Sequence, residues 1–174
     1  MNNVEYLIYG FGLTGKSTAK FFDIHNISYL IYDDFLKIQS DKFLNIDNLR
    51  NIKFKYIVLS PGISVNDSEM LSSIQCNEII SDLDLFYQLL YKKNQDILIG
   101  VTGTDGKSTT TSLLHHVFDK NNINSYACGN IGKSPLDLTL SNKKSIFCIE
   151  TSSYQLNISN KIALKSLYVI SRLK

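Results

Sequence analysis

Short apolar runs alternate with helix-length amphipathic stretches along the chain, and this alternation constrains the fold more than any other feature. In the first half the predicted strands are 4–10, 28–33, 56–60 and 78–81, and the predicted helices are 14–25 and 82–93. The first of these helices is expected to bury Ala19, Phe21 and Phe22. Strands that alternate with helices are typical of an α/β protein with a mostly parallel sheet and helices on its faces.

The same pattern restarts after the polar stretch "KKNQ" at 92–95, which is the best candidate for a domain boundary. The predicted elements of the second half are strands at 97–102, 125–128, 145–150 and 166–171 and a helix at 107–120. We therefore predict two α/β domains, a Rossmann-like domain at 1–93 and a P-loop-type domain at 94–174.

Composition excludes several classes of protein. Of 174 residues, 44% are hydrophobic and 20% are charged, and the net charge is +2, which is typical of globular domains and gives no basic footprint for nucleic acid. No secretory leader and no membrane span are expected. The three cysteines, an odd number without a C-x-x-C pair, favour reduced thiols and a cytoplasmic location.

The first glycine-rich loop is "GFGLTG" at 10–15, between a predicted strand and a predicted helix. In such a loop Gly10 permits a tight turn, Gly12 lets the backbone approach a phosphate, and Gly15 lets helix and strand pack closely. Asp33 ends the second strand, where a dinucleotide fold places an acid that binds ribose. Two interpretations stay open, namely nucleotide binding and a turn whose glycines serve packing alone.

The second loop, "GTDGKST" at 103–109, also follows a strand and begins a helix. Val101 stands where the full P-loop pattern has its first glycine, but the remaining parts are present. Backbone N–H groups of the loop can surround phosphates, Lys107 can neutralise them, and the Ser108 hydroxyl is suited to Mg²⁺. The alternative is a capped helix start with a surface lysine.

Two polar residues follow neighbouring predicted strands of the second half. Glu150 ends the strand at 145–150 and is a candidate to hold Mg²⁺ with Ser108, the alternative being a solvated or capping carboxylate. Asn130 lies between glycines after another strand, at the edge where α/β sheets bind ligands.

With these residues placed, the chain resembles the Mur ligase family of peptidoglycan synthesis, and within it the branch that adds D-glutamate. The motifs that carry the resemblance are "GFGLTG", "SPGI" at 60–63, "VTGTDGKSTTT" at 101–111, "GNIG" at 129–132 and "ETSSYQL" at 150–156. The last two together favour the D-glutamate branch over the branches that add other amino acids.

The resemblance implies which residues bind which ligand. Those implied to bind the UDP-linked substrate are Gly12, Leu13, Thr14, Asp33, Asp34, Ser60 and Gly62, with Asn130, Ser152, Ser153 and Gln155 around its muramoyl-alanyl part. Those implied to bind ATP are Gly103, Thr104, Asp105, Gly106, Lys107, Ser108 and Thr109. Lys107 is implied to stabilise the transferred phosphate, and Ser108 and Glu150 to hold Mg²⁺.

The implied reaction consumes ATP, UDP-N-acetylmuramoyl-L-alanine and D-glutamate, and proceeds through an acyl phosphate. The family pattern commonly has an asparagine where this chain has Asp105, and often a cation where it has Phe35. Arg172 lies near the position at which the family has a further asparagine. We also expect the chain to lack the rest of the family's ATPase sheet and the C-terminal domain that binds the incoming amino acid. The alternatives are a nucleotide-binding remnant without ligase activity and, less favoured, an NAD-dependent Rossmann oxidoreductase.

Overall fold

The computed structural model describes residues 4–65, 69–91, 95–138, 140, 143–159, 162, 164 and 166–170. It divides into two compact units, Met1–Asp82 and Leu83–Lys174. Most of the predicted boundary stretch at 92–95, and the predicted departure at Arg172, lie outside the described residues. The assignment of domains to 1–93 and 94–174 stays a prediction.

The first unit contains one four-stranded parallel sheet. Its elements are β1 (Tyr6–Tyr9), α1 (Leu13–Ile24), β2 (Tyr29–Tyr32), α2 (Ile46–Leu49), β3 (Lys53–Leu59), α3 (Glu69–Ser73) and β4 (Gln75–Ile80). The strand order is β2-β1-β3-β4, and Tyr6 pairs with Tyr29 on one side and Tyr56 on the other. The chain crosses from one side of β1 to the other, so the carboxyl ends of β1 and β3 form a switch point where α/β sheets bind ligands.

Aromatic side chains form much of the core beside this sheet. Phe22 of α1 is fully buried, and its ring lies 4.8 Å from that of Tyr6 and 5.5 Å from that of Tyr29. The prediction that Ala19, Phe21 and Phe22 form the buried side of this helix is confirmed. Burial of these rings fixes α1 against the sheet and so fixes the loop that precedes it.

The second unit also contains a four-stranded parallel sheet, in the order β6-β7-β5-β8. Its elements are α4 (Asp82–Leu89, starting at the junction), β5 (Ile97–Gly103), α5 (Lys107–Lys120), β6 (Ser125–Gly129), a 3₁₀ turn (Pro135–Asp137), β7 (Ile146–Glu150), α6 (Ser153–Ile158) and β8 (Ser166–Ile170). Glu150 pairs with Val101 of β5 on one side and Gly129 of β6 on the other. The ends of three strands therefore meet at Glu150.

The predicted α/β class is confirmed, and each predicted strand and long helix is present. The differences concern short elements: β3 and β4 begin three residues earlier than predicted, at Lys53 and Gln75, and α4 ends at Leu89 rather than 93. The helices α2, α3 and α6 are not predicted, because four to six residues are too few to show a helical period. Within the described ranges, no helix is long and apolar enough to span a bilayer.

Candidate functional site

The loop at 103–109 leaves the end of β5 and turns directly into α5. Gly103 and Gly106 have φ angles of 136° and 76°, in the region that favours glycine, and Gly106 is the residue that caps α5. A turn of this kind directs the first backbone N–H groups of the helix toward the edge of the sheet. These groups and the helix dipole attract an anion.

Lys107, the first residue of α5, curls back over this loop. Its Nζ donates to the carbonyl oxygens of Gly103 at 2.9 Å and Thr104 at 3.1 Å. The positive charge is thereby held above the loop rather than extended into solvent. The predicted ATP-binding residues Thr104, Asp105, Gly106, Ser108 and Thr109 are exposed around it.

Ser108 and Glu150 come together although they are 42 residues apart in sequence. The Ser108 hydroxyl donates to Glu150 Oε2 at 2.7 Å, and Glu150 is only 5% exposed. The register of β7 against β5 explains the contact, because it places the last residue of β7 beside the end of the strand that feeds the loop. The predicted juxtaposition is thus present.

The oxygen pair of Ser108 and Glu150 suits Mg²⁺, a hard cation that proteins hold with few side chains, phosphates and water. Among the residues that the structure describes, no group of three or more His, Cys, Asp or Glu side chains is placed to hold a metal. A cation at this pair would therefore take its remaining ligands from a bound phosphate and from water.

The loop after β6 lies against Glu150 from the other side. The Asn130 backbone N–H donates to the Glu150 carbonyl oxygen at 2.9 Å, and the Gly129 N–H donates to the Lys133 carbonyl oxygen at 2.8 Å. The Asn130 side chain is exposed. This predicted substrate residue therefore stands at the same sheet edge as the Ser108–Glu150 pair.

Two of the predicted substrate residues form a helix cap. Ser152 accepts a hydrogen bond from the Gln155 N–H at 3.1 Å, while Gln155 Oε1 accepts one from the Ser152 N–H at 3.1 Å. Gln155 is 1% exposed, whereas Ser153 in the first turn is exposed. The S-x-x-Q spacing is a capping-box signature, so the start of α6 is readable from the sequence although it was not predicted.

The first loop is shaped by close packing at the switch point of the other sheet. Gly10 has a φ angle of 92°, and its carbonyl accepts the Ser60 hydroxyl at 2.8 Å. A Cβ on Gly15 would overlap the Gly10 carbonyl oxygen. Gly12 and Leu13, by contrast, are exposed at the start of α1. Gly10 and Gly15 thus serve packing, whereas Gly12 and Leu13 are open to solvent.

Asp33 joins this loop to the segment after β2. Its Oδ2 accepts the Phe11 N–H at 2.6 Å, and its Oδ1 accepts the Phe35 and Leu36 N–H groups at 2.9 and 2.8 Å. Burial acts to raise the pKa of Asp33, but these hydrogen bonds outweigh it and hold that pKa below its usual value. The ionised Asp33 carboxylate therefore joins the first loop to the segment after β2.

Asp34 lies beside two tyrosines. The Tyr9 hydroxyl donates to both of its carboxylate oxygens, at 3.1 and 3.0 Å. Burial, with a hydrogen bond to Asp34 and its negative charge, raises the pKa of Tyr32 to about 12. The raised pKa keeps Tyr32 protonated at physiological pH, and the hydrogen bonds from Tyr9 hold the Asp34 carboxylate in one orientation.

Both aspartates line a cavity of about 550 Å³ at the end of β2. Sequence reasoning missed other residues of its wall, including Tyr32, Lys37, Asn45 and Asn48. Lys37 supplies a cation two positions after Phe35, whose side chain is 93% exposed. Among the remaining predicted residues, Thr14 accepts the Thr18 hydroxyl at its carbonyl, and Gly62 is exposed with open space around it.

Fold and site define an α/β chain with a glycine-rich loop at the carboxyl edge of each of two parallel sheets. It is similar to curated proteins named UDP-N-acetylmuramoylalanine–D-glutamate ligase. The one from Francisella philomiragia is 35% identical over 160 residues, covering 91% of this chain and 36% of the relative. Those from Rickettsia prowazekii (33% identical, 91% and 36% covered) and Clostridioides difficile (34%, 87% and 36%) match equally well.

The chain is thus related to these ligases, and its resemblance to the Mur ligase family is confirmed. It spans about a third of the length of the curated relatives it matches. A solved ligase from Neisseria meningitides, named for UDP-N-acetylmuramate and L-alanyl-γ-D-glutamyl-meso-diaminopimelate, aligns with a TM-score of 0.49 and 16% identity over 94% of this chain and 60% of that one. No family model matches.

Proposed function

We propose that the chain provides the nucleotide-binding parts of an ATP-dependent ligase that joins D-glutamate to UDP-N-acetylmuramoyl-L-alanine. The observation that carries the proposal is the Ser108–Glu150 contact of 2.7 Å beneath a glycine loop that is followed by a lysine. The similarity to proteins named as D-glutamate ligases supports the same reading.

In this proposal the loop at 103–109 binds the β- and γ-phosphates of ATP. The first N–H groups of α5 donate to the phosphate oxygens, and helix α5 adds its dipole. Lys107 exchanges its two carbonyl partners for the γ-phosphate, which brings a full positive charge to the place where negative charge is transferred.

Ser108 and Glu150 are the proposed ligands of Mg²⁺. When bound there, Mg²⁺ would neutralise phosphate charge and make the γ-phosphate a better electrophile. The carboxylate is buried and already accepts the Ser108 hydroxyl, so the two oxygens are in place before the nucleotide arrives.

The first unit in this proposal binds the UDP of the nucleotide-sugar substrate. Gly12, Leu13 and Thr14 face the diphosphate at the start of α1. The cavity beside Asp33 and Asp34 holds the nucleoside, with Ser60 and Gly62 at the adjacent strand end. Asn130 and Ser153 are proposed to contact the muramoyl-alanyl part, while Ser152 and Gln155 keep α6 in place for it.

The chemistry begins when an alanyl carboxylate oxygen attacks the γ-phosphorus of ATP, so that ADP leaves and an acyl phosphate forms. The amine of D-glutamate then attacks the acyl carbon, phosphate leaves, and the amine loses a proton. Activation is needed because a carboxylate oxygen is a poor leaving group, whereas phosphate is a good one. We assign the reaction to the cytoplasm, where ATP and UDP-sugars are available.

The experiment is calorimetric titration of the purified chain with UDP-N-acetylmuramoyl-L-alanine and with ATP and Mg²⁺, followed by an assay of ADP release. Independent binding of both nucleotides is expected. ADP release that requires both UDP-N-acetylmuramoyl-L-alanine and D-glutamate identifies ligation, whereas binding without ADP release identifies the nucleotide-binding alternative. Binding of NAD in place of UDP would contradict the proposal.

A further inference from the structure

We propose that Gly129 is a positioning residue for Glu150, so that the close approach of the Gly129 backbone sets the geometry of the proposed magnesium site. The inference rests on the proposed function, because it concerns how Glu150 is held for a cation. It goes further by assigning a role to Gly129, which the proposed function leaves without one.

The first observation is the closeness of two backbones. Gly129 has a φ angle of 95°, and a Cβ at this position would overlap the Glu150 carbonyl oxygen. The same Cβ would lie 3.0 Å from the Glu150 carbonyl carbon and 3.1 Å from its nitrogen. These neighbours are backbone atoms at the end of a strand that is paired on both sides, so they cannot yield as the end of a flexible side chain would.

The second observation is that the loop holds Glu150 by hydrogen bonds. The Asn130 N–H donates to the Glu150 carbonyl oxygen at 2.9 Å, and an antiparallel bridge between Gly129 and Lys133 closes the loop on itself. The main chain of Glu150 is therefore held by Val101 on the β5 side and by Gly129 and Asn130 on the β6 side.

The third observation connects this support to the site. The Glu150 side chain is buried, and its carboxylate accepts the Ser108 hydroxyl at 2.7 Å, the usual length of an O–H···O hydrogen bond. A side chain added at Gly129 must displace the main chain of Glu150, and the carboxylate moves with it. Residues that orient a ligand of a metal usually matter nearly as much as the ligand itself.

Gly132 offers a matched control in the same loop. Its φ angle of 96° is nearly that of Gly129, so alanine is equally strained at both positions. A Cβ at Gly132 meets nothing within 4 Å. The two substitutions thus differ in contact with Glu150 and share the backbone strain.

The test measures ATP affinity with Mg²⁺ and with EDTA for the wild type, Gly129→Ala and Gly132→Ala, each also combined with Glu150→Gln. We expect Gly129→Ala to reduce the enhancement of ATP affinity by Mg²⁺ by about 10-fold or more, as is typical when support for a metal ligand is lost. Gly132→Ala should keep that enhancement. In the Glu150→Gln background, Gly129→Ala should have little further effect, because the group that it positions is gone.

Equal effects of the two alanines, or an undiminished effect of Gly129→Ala in the Glu150→Gln background, would overturn the inference and leave the proposed function intact. A wild-type chain whose ATP affinity does not respond to Mg²⁺ would overturn both. Thermal unfolding of every variant, followed by circular dichroism, reports whether the second unit, which carries the substitutions, is folded.

A measurement on the wild type decides the matter if Gly129→Ala does not fold. Residue-resolved hydrogen exchange should show the Asn130 amide, which bonds to Glu150, becoming more protected on addition of ATP and Mg²⁺ than on addition of ATP alone. Unchanged protection of Asn130 would overturn the inference.

Discussion

The two glycine-rich loops look alike in sequence, but their surroundings differ. Each follows a strand of a parallel sheet and begins a helix. At the first loop a carboxylate bonds to the backbone, since Asp33 accepts the Phe11 N–H, and Asp34 and the cation Lys37 line the cavity beside it. The second loop has Lys107 over it, and its carboxylate, Glu150, is bonded to Ser108.

The glycines thus determine the backbone shape of each loop, while side chains at the neighbouring strand ends determine which ligand the loop suits. An acid held by backbone N–H groups beside a cavity suits the hydroxyl and N–H groups of a nucleoside. A lysine with an oxygen pair suits a triphosphate and its cation.

The largest effect is expected from Lys107→Ala. Loss of the cation from the second loop should lower ATP-dependent turnover, or ATP affinity if the chain binds without turnover, by about 10²–10³-fold, as for other groups that stabilise transferred charge. Calorimetric titration with ATP measures the change in ATP affinity, and titration with UDP shows whether the first loop is affected. The control is Lys120→Ala, which removes the same charge at the other end of α5. Equal loss of UDP binding would show that the two loops are not chemically distinct.

Glu150→Gln should have the next largest effect. The amide keeps the shape of the side chain but removes its charge, so affinity for Mg²⁺ in the presence of ATP should fall by about 10–100-fold. Titration of Mg²⁺ at fixed ATP concentration reports this change. If the Mg²⁺ dependence is unchanged, the oxygen pair of Ser108 and Glu150 is structural, and the contrast with the first loop is lost.

Gly15→Ala tests the packing role of the first loop. The new methyl group would overlap the Gly10 carbonyl oxygen, and overpacking of this kind costs about 1–3 kcal/mol of unfolding free energy. The better helix propensity of alanine offsets about 1 kcal/mol of that cost. Urea unfolding measures the difference against Gly12→Ala, whose methyl group meets nothing within 4 Å. Equal stabilities would contradict the packing role.

Asp33→Asn should reduce the free energy of unfolding at pH 7 by about 1–2 kcal/mol, close to the net effect of Gly15→Ala, because the amide NH₂ replaces an oxygen that accepts a backbone N–H. The folded-state pKa of Asp33 is lowered, so its contribution is present above the unfolded pKa of about 4 and is lost as pH falls through the folded value. The difference in free energy of unfolding between wild type and variant should therefore be smaller at pH 3 than at pH 7. Asp41→Asn, at an exposed acid of the same unit, is the control. An equally large difference at pH 3 would contradict the conclusion that the charge of Asp33 joins the two segments.

Much of the candidate site could be predicted because the motifs are local. The strands and the two loops follow from apolar runs and from glycines within a few positions of each other. Lys107 is a predicted site residue because it closes the second loop, and Glu150 because it ends a predicted strand. The wall of the cavity could not be predicted. Lys37 and Asn48 reach it through a segment whose path depends on the bridge between Ile31 and Phe43, a contact that has no sequence signal.

The sequence by itself determined the α/β class and the place of each loop between a strand and a helix, since the hydrophobic period and glycine act over short ranges. Tertiary structure decided which strand ends are neighbours. It placed Glu150 between Val101 and Gly129, and it joined Ser60 to Gly10 across 50 residues. Strand order is set by how helices and sheet bury their apolar faces together, and no local pattern contains that information.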